Sequence, residues 1–269
     1  MKIVFFGTPE FAVPTLKKLI SEKFEVVAVV TMPDRPAHRG QKNQPSPVKV
    51  VAEQNKIPVY YEIPTLDQLK KWGAEKIVVI AYGKMIPEEI YKNWHCLNVH
   101  PSKLPQYRGP SPLQSALLNG DSETAVTIML IDKEMDAGDI VLQEAMNIDQ
   151  NESFQSLHDR AAERGAELMV EALKLDLNKI RKPQDHSQAT RCKKIKKEDS
   201  QINWNDSAQK IHNIVRAIGG FTIQDGKRVK VLKTQIKDNK LEILEVQPEG
   251  KQKMNYSDYV RGYGELNAH

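Results

Sequence analysis

The chain has 269 residues, of which 28% are charged and 40% are hydrophobic, and its formal net charge is +4. This composition predicts a globular protein with a sizeable core, in one large domain or two smaller ones. No apolar run reaches the length of a membrane span or of a signal peptide, so we expect neither. The two cysteines, Cys96 and Cys192, stand far apart and outside any metal-ligand spacing. We therefore predict a reduced cytoplasmic setting, a buried Cys96, an exposed Cys192 and no metal site.

Strand and helix signals alternate through the first two thirds of the chain. The run Ile3–Phe6 is apolar without alternation, which predicts a buried strand. Thr8 and Pro9 then fit the cap and first turn of a helix that ends near Ser21. Further strands are predicted at 24–31, 57–60, 76–80, 96–99, 125–131 and 140–146, and helices from Ser46, over 65–72, from Pro87, and over 111–119 and 153–175. This order predicts an α/β class: a Rossmann-like, mostly parallel sheet with helices on both faces.

The composition changes near Asp176, and the chain is polar and rich in cations from 179 to 200, as is typical of a linker. A short helix is predicted over 207–217. The dipeptide Asp225-Gly226 is a strong hairpin signal between two short strands, at 221–224 and 227–234, and a third strand is predicted at 241–247. We therefore predict a domain over 1–178, a basic linker over 179–200 and a small β-rich domain over 201–269.

The most informative polar residues follow the predicted strand at 96–99. Asn98 and His100 are two residues apart, so their side chains leave an extended strand from the same face. An amide can polarise a carbonyl, and an imidazole can stabilise an oxyanion or relay a proton. Asp136, in a predicted turn, could pair with His100, although spacing does not separate it from its neighbours Asp132 and Asp139. Taken alone, an Asn-x-His pair is more often an ordinary strand end.

Two loops that follow predicted parallel strands could contact a ligand. Gly7-Thr8-Pro9 could bring a ligand close to backbone amides, and Tyr82-Gly83-Lys84 could line a pocket for a flat ring. Each has a simpler interpretation, as a tight turn and as a crossover loop. The dinucleotide fingerprint G-x-G-x-x-G does not occur in the sequence.

Cations are concentrated in two places. Arg35, Arg39 and Lys42 share one loop, and the predicted linker adds a second cluster that includes Lys193, Lys194, Lys196 and Lys197. A single cluster could be a solvated surface. Two clusters favour phosphate contacts and hence a polyanionic partner such as a nucleic acid.

Together these residues resemble the folate-dependent formyltransferase family. The segments that carry the resemblance are Asn98-Val99-His100-Pro101-Ser102-Lys103-Leu104-Pro105, Arg108-Gly109 with Pro112, and Asp136-Ala137-Gly138-Asp139-Ile140-Val141. Other segments resemble the branch of the family that acts on methionyl-tRNA: Phe6-Gly7-Thr8-Pro9-Glu10-Phe11-Ala12, Pro33–Gly40 with Pro45–Lys49, Ala81–Pro87 and Val246–Lys251. The resemblance covers nearly the whole chain.

The resemblance implies a role for each matching residue. Asn98, His100 and Asp136 match the catalytic trio, and the formyl donor would be 10-formyltetrahydrofolate. The residues expected to bind the donor are Ala81, Tyr82, Gly83, Ser102, Leu104, Pro105 and Asp132. Those expected to bind the acceptor, initiator methionyl-tRNA, are Gly7, Thr8, Pro9, Arg35, Arg39, Lys42, Lys193, Lys194, Lys196 and Lys197. We expect a monomer.

The tail departs from the family pattern. Only Gln235–Lys240 separates Thr234 from Leu241, where the family carries extra strands, so we expect a shortened, incomplete OB-like barrel. Two alternatives stay open at this point. One is an enzyme of the same chemistry that formylates an amino sugar on a nucleotide. The other is an RNA-binding relative that has lost catalysis.

Overall fold

The computed structural model describes residues 1–36 and 43–266 of the chain. Within these residues the strands are β1 Lys2–Gly7, β2 Glu25–Val30, β3 Arg35–Pro36, β4 Asn43–Gln44, β5 Val59–Tyr60, β6 Lys76–Ile80, β7 Cys96–His100, β8 Glu123–Leu130, β9 Ile140–Asn147, β10 Gly220–Gln224, β11 Lys227–Lys237, β12 Lys240–Pro248 and β13 Met254–Asn255. The helices are α1 Val13–Ser21, α2 Pro47–Gln54, α3 Leu66–Trp72, α4 Glu88–Tyr91, α5 Pro112–Asn119, α6 Phe154–Leu173, α7 Leu177–Ile180, α8 Ala208–Ile218 and α9 Tyr256–Tyr263.

Seven strands form one sheet in the order β5-β2-β1-β6-β7-β8-β9. The pairs β2–β5, β1–β2, β1–β6 and β6–β7 are parallel, and β7–β8 is antiparallel. Gly7 is opposite Ile80 and Val79 is opposite Asn98, so these parallel strands end at one edge of the sheet. The predicted mostly parallel sheet is confirmed, and its carboxyl edge is where ligands bind in such folds.

The predicted helix start at Thr8 is wrong. A 3₁₀ turn over Glu10–Ala12 follows Pro9, and α1 begins at Val13. The Thr8 hydroxyl donates to the carbonyl oxygen of Tyr82 at 3.0 Å, and it accepts from the N–H of Met32 at 3.4 Å. The hydroxyl therefore ties together the loops that follow three neighbouring strands, which is a tertiary use that local sequence does not reveal.

Two compact units share the chain, and neither is a continuous stretch. The first comprises residues 1–108, 125–145 and 158–190, and the second comprises 109–124, 146–157 and 191–269. The predicted ranges 1–178, 179–200 and 201–269 are continuous, so the first unit takes in part of the predicted linker. The second unit takes in α5 and the segment before α6.

In the second unit, the strands β10-β11-β12-β13 form an antiparallel sheet in that order. The hairpin predicted at Asp225-Gly226 is confirmed, and both residues have positive φ. The order has different strands at its two ends, so the sheet of described residues is open. Its core contains Ile202, Ile211, Val215, Val229, Val231, Val246, Tyr259 and Leu266.

Helix α8 fastens α5 and the 149–152 turn within this unit. Asn213 donates to the carbonyl oxygen of Leu118 at 3.4 Å, and the Arg216 guanidinium donates to that of Asp149 at 3.2 Å. His212, which is 1% exposed, lies 2.8 Å from the Thr234 hydroxyl through Nδ1. These contacts attach α5 and the 149–152 turn to a tail of about 70 residues, which buries a smaller share of its surface than a larger domain does.

Burial lowers the pKa of His212 below that of an exposed histidine. The unfolded chain therefore takes up a proton near pH 6.5 that the native chain does not. Above this pH the histidine does not lower the free energy of unfolding. As the pH falls further, the free energy of unfolding declines by at most about 1.4 kcal/mol per pH unit for one histidine. We expect the variant His212→Gln to show a shallower decline between pH 6.5 and 4.5, measured by thermal unfolding.

The pKa of His95 is also lowered by burial, so His95 contributes to the same decline in both proteins. The comparison is therefore between the slopes of the two proteins. Parallel unfolding curves across this pH range would contradict the assignment to His212.

The cysteine prediction is half correct. Cys96 is buried, and burial raises the pKa of its thiol to about 12. Cys192 is buried too, not exposed as predicted: it packs against Gly109, and its Sγ accepts from the N–H of Ser111 at 3.4 Å. Within the described part of the chain, no helix is both long and apolar enough to cross a membrane.

Candidate active site

His100 and Asp136 are brought together in the first unit. His100 is the last residue of β7 and is 4% exposed, and Asp136 lies in the turn between β8 and β9. His100 Nδ1 lies 3.7 Å from Asp136 Oδ2. Asn98 is half-buried and lies two residues before His100 on β7, so the two share one face of the strand. The structure therefore places Asp136 beside His100, a pairing that sequence spacing alone does not establish.

The other ring nitrogen fixes the protonation pattern of His100. Nε2 lies 3.0 Å from the carbonyl oxygen of Tyr107. A carbonyl oxygen only accepts, so Nε2 carries the proton and Nδ1 is the nitrogen that faces the carboxylate. When Nδ1 also takes a proton, each N–H has an acceptor, and the imidazolium lies between a carbonyl and a carboxylate.

The turn that carries Asp136 is tightly determined. Asp136 has φ of 55°, a left-handed conformation that is uncommon outside glycine. A Cβ on Gly138 would lie 1.9 Å from the carbonyl oxygen of Leu130, so glycine is required at this close approach. The side-chain amide of Gln184 donates to the carbonyl oxygens of Asp136 at 2.9 Å and of Gly138 at 2.8 Å.

The neighbouring carboxylates have different partners. Asp139 Oδ2 lies 3.7 Å from Arg181 Nε. Asp132 is exposed, and its Oδ1 accepts from the N–H of Lys133 at 2.7 Å. Asp136 is thus the carboxylate of the three that faces His100.

The loop after β6 combines left-handed backbone with a buried phenol. Ala81 and Gly83 both have positive φ, of 46° and 94°. Tyr82 is 2% exposed, its ring packs edge-on against Phe6 at 5.2 Å, and burial raises the pKa of its hydroxyl. Among the described residues, the Tyr82 hydroxyl has no hydrogen-bond partner. An unsatisfied buried hydroxyl is costly, and Tyr82 packs in the apolar core of the sheet.

The loop after β7 is held internally. The Ser102 hydroxyl donates to the carbonyl oxygen of Gln106 at 2.6 Å, and the carbonyl oxygen of Leu104 accepts from Gln143 at 3.0 Å. Ser102 and Leu104 are both buried, and the bond from Leu104 to Pro105 is cis. Donor binding by these residues stays a prediction; the contacts within the chain show that they also shape the loop beside His100.

Gly7 has a packing role. A Cβ there would lie 2.7 Å from the Phe5 ring and 2.9 Å from the Ala12 side chain. Close packing therefore accounts for the glycine, and contacts with the loops after β2 and β6 account for the Thr8 hydrogen bonds. Pro9 is exposed.

The predicted phosphate contacts are only partly described. The backbone of Arg35 pairs with Gln44 in the β3–β4 hairpin, and Arg39 and Lys42 lie outside the described residues. The second cluster lies in the second unit, and its four lysines are exposed: Lys193, Lys194, Lys196 and Lys197. Acceptor binding by both clusters stays a prediction.

Sequence reasoning missed the residues that support the pair. Gln184 lies in the polar stretch that we expected to be a linker, yet it is 5% exposed. Tyr107 acts through its carbonyl oxygen, for which the sequence carries no signal. Gln184 is likewise indistinguishable in the sequence from the exposed glutamines around it.

The chain is similar to known proteins over nearly its whole length. Residues 1–173 match the family model described as formyl transferase, and residues 194–242 match that of the formyl transferase C-terminal domain. A methionyl-tRNA formyltransferase from Carboxydothermus hydrogenoformans is 41% identical, over 99% of this chain and 98% of its own length. One from Caldanaerobacter subterraneus subsp. tengcongensis is 40% identical, over 98% of this chain and 97% of its own.

The alignment with the Carboxydothermus hydrogenoformans protein spans 302 positions, which is more than the 269 residues of this chain. The relative therefore contains residues that this chain lacks. Among solved structures, a methionyl-tRNA formyltransferase from Clostridium thermocellum has a TM-score of 0.63 at 21% identity, covering 92% of this chain and 98% of its own. An N-formyltransferase from Helicobacter canadensis, in complex with folinic acid and dTDP-3-aminofucose, has a TM-score of 0.67 at 19% identity, covering 88% of each chain. The solved structures share the fold, and the matches in sequence go further: this chain belongs to the formyl transferase family, in the group of the methionyl-tRNA formyltransferases.

Proposed function

We propose that this chain transfers a formyl group from 10-formyltetrahydrofolate to the α-amine of methionyl-tRNA, the initiator of translation. The observation that carries the proposal is the His100–Asp136 pair at the carboxyl edge of the sheet, where His100 is buried and shares β7 with Asn98. Relatives about 40% identical over nearly the whole chain bear the name of this activity.

The reaction does not need a strong base to deprotonate the attacking amine. A free α-amine has a pKa of about 7.7–8.0, so a useful fraction is neutral near pH 7 and can attack the formyl carbon directly. The nitrogen–carbon bond forms, and negative charge develops on the formyl oxygen. Asn98 would donate its amide N–H to that oxygen, and His100 would present the Nε2 proton that Tyr107 accepts in the resting chain.

Asp136 would orient the His100 ring. The carboxylate lies on the Nδ1 side, where it can orient the ring and accept a proton from the amine through water. The proton leaves the amine, the bond between the formyl carbon and the folate nitrogen breaks, and that nitrogen takes a proton. Asn98, His100 and Asp136 are thus the proposed catalytic residues.

The loop after β6 follows a strand that ends at the carboxyl edge of the sheet, where ligands bind in such folds. We propose that Ala81, Tyr82 and Gly83 hold the pterin, with Ser102, Leu104, Pro105 and Asp132 completing the donor site. The exposed lysines of the second unit would hold tRNA phosphate groups, together with Arg35, Arg39 and Lys42.

We further propose that the protein acts as a monomer in the cytoplasm. Neither cysteine forms a disulfide, and both lie within the described residues, which is consistent with a reducing compartment. The proposed division of labour assigns catalysis to the domain 1–178 and tRNA binding to the linker 179–200 and the domain 201–269.

A single assay with two acceptors tests the function. The purified chain is incubated with 10-formyltetrahydrofolate and either methionyl-tRNA or a dTDP-linked amino sugar, and formylated product is quantified by mass spectrometry. We expect product with methionyl-tRNA and none with the sugar nucleotide. Product with the sugar alone would replace the proposed acceptor, and tight tRNA binding without turnover would indicate a relative that has lost catalysis.

A further inference from the structure

Gln184 lies at the centre of a buried polar cluster that the proposed reaction does not use. Its side chain makes four hydrogen bonds. The amide nitrogen donates to the carbonyl oxygens of Asp136 and Gly138, and the amide oxygen accepts from Arg108 Nε at 3.0 Å and Nη2 at 2.7 Å. Two donated protons and two occupied lone pairs are the full capacity of an amide.

The orientation of this amide is determined by its partners. A guanidinium only donates and a carbonyl only accepts, so the oxygen of Gln184 faces Arg108 and the nitrogen faces the Asp136 turn. Arg108 is itself 3% exposed, and its guanidinium also reaches His186 Nδ1 at 3.3 Å. A buried arginine fork therefore holds one end of Gln184 in place.

The other end of Gln184 determines where the Asp136 turn can lie. It binds the carbonyl oxygen of Asp136, whose φ is 55°, and that of Gly138, two residues further on. The amide therefore bridges the strained part of the turn, and the Asp136 carboxylate leaves that part toward His100.

The same stretch of chain also supports the opposite side of the pair. Thr190 Oγ1 accepts from the N–H of Tyr107 at 2.9 Å, and the Thr190 N–H donates to the carbonyl oxygen of Pro105 at 3.2 Å. The carbonyl oxygen of Tyr107 is the acceptor of His100 Nε2. Residues 184–190 thus contact the turn that carries Asp136 and the loop that holds the His100 ring.

We propose that Gln184 is a positioning residue, which sets the distance between Asp136 and His100, and that Arg108 orients Gln184 for this task. The inference rests on the proposed function, because the distance between these two side chains matters to formyl transfer. Gln184 acts through Asp136 and touches neither substrate.

The sharpest variant is Gln184→Glu. It keeps the size of the side chain and the acceptors for Arg108, but it places a carboxylate oxygen against two carbonyl oxygens. We expect kcat to fall about 10²-fold, as displaced catalytic groups typically cost, with KM for both substrates unchanged. Gln184→Met, which removes all four hydrogen bonds without adding charge, is expected to lower kcat as well.

The matched control is Gln188→Glu. It makes the same substitution in the same segment, at an exposed side chain whose amide donates to Asp185. We expect its kcat and KM to equal those of the wild type. Thermal unfolding of each variant separates a loss of folded protein from a loss of turnover.

A double-mutant cycle with Asp136→Asn tests the route of the effect. If Gln184 acts through Asp136, the double variant Gln184→Glu/Asp136→Asn is no slower than Asp136→Asn alone. Independent losses that multiply would overturn the proposal, as would wild-type turnover in both Gln184→Glu and Gln184→Met.

A spectroscopic measurement keeps the inference separate from the proposed function. In protein with ¹⁵N-labelled histidine, the His100 ring signals are identified by their absence in His100→Ala. We expect Gln184→Glu to move them in the same direction as Asp136→Asn, and Gln188→Glu to leave them in place. Unmoved signals in Gln184→Glu overturn the inference whether or not the wild type formylates methionyl-tRNA, whereas an inactive wild type overturns only the function.

Discussion

Replacing His100 with alanine is expected to lower kcat for formylation of methionyl-tRNA by about 10²–10³-fold, because a lost oxyanion donor typically costs this much. The substitution removes the Nε2 proton, now accepted by the carbonyl oxygen of Tyr107, and the ring nitrogen that faces Asp136. KM for both substrates should change little, since the imidazole acts mainly on the charge that develops during the reaction.

The matched control for this experiment is His95→Ala. His95 immediately precedes β7, so it lies at the opposite end of the strand that carries His100. Its ring contacts Lys76 and Asn178, away from the carboxyl edge. We expect the folded fraction of this variant to turn over at the wild-type rate. A kcat for His100→Ala within a few-fold of that control would remove the imidazole from the mechanism.

Gly138→Ala is expected to disable the site without touching a catalytic side chain. The new Cβ would lie 1.9 Å from the carbonyl oxygen of Leu130, which is backbone of the sheet and cannot yield as a side-chain tip could. The Asp136 turn must therefore move. Overpacking of this kind typically costs about 1–3 kcal/mol of stability, and a shift of about 1 Å at a catalytic group can cost 10²-fold in rate.

Gly262→Ala provides the comparison for this variant. Gly262 lies in α9, and a Cβ there meets nothing within 4 Å. Alanine is favoured over glycine inside a helix by about 0.5–1 kcal/mol, so the unfolding temperature should stay the same or rise, with activity unchanged. If Gly138→Ala behaves like this control in both measurements, the turn is less constrained than its contacts indicate.

The parallel sheet was predictable because its strands are buried on both sides. Continuous apolar runs are typical of such strands, and β6 begins and ends at the predicted residues, Lys76 and Ile80. The helix cap predicted at Thr8 was wrong because tertiary contacts override the local pattern. A threonine before a proline has the local pattern of a helix start, but its hydroxyl is used by Tyr82 and Met32 from distant loops.

Some residues of the candidate site could be predicted from local sequence, and others depend on tertiary contacts. Asn98 and His100 are adjacent positions on one face of one strand, so a period of two residues was enough to pair them. Asp136 reaches His100 across 36 positions, and no local period reports such a contact. Gln184 and the carbonyl oxygen of Tyr107 are further still from any sequence signal, because their roles depend only on which backbone atoms come near.

The division of the chain into interleaved units affects how the protein can be made. The polypeptide passes from one unit to the other five times, and the last piece of the second unit begins at Arg191. A ribosome must therefore synthesise almost the whole chain before that unit can close, and α5, translated long before, must wait for α8. A nascent chain that stops before Arg191 would therefore leave the buried face of α5, with Leu113, Ala116 and Leu117, without α8 and open to chaperones and proteases.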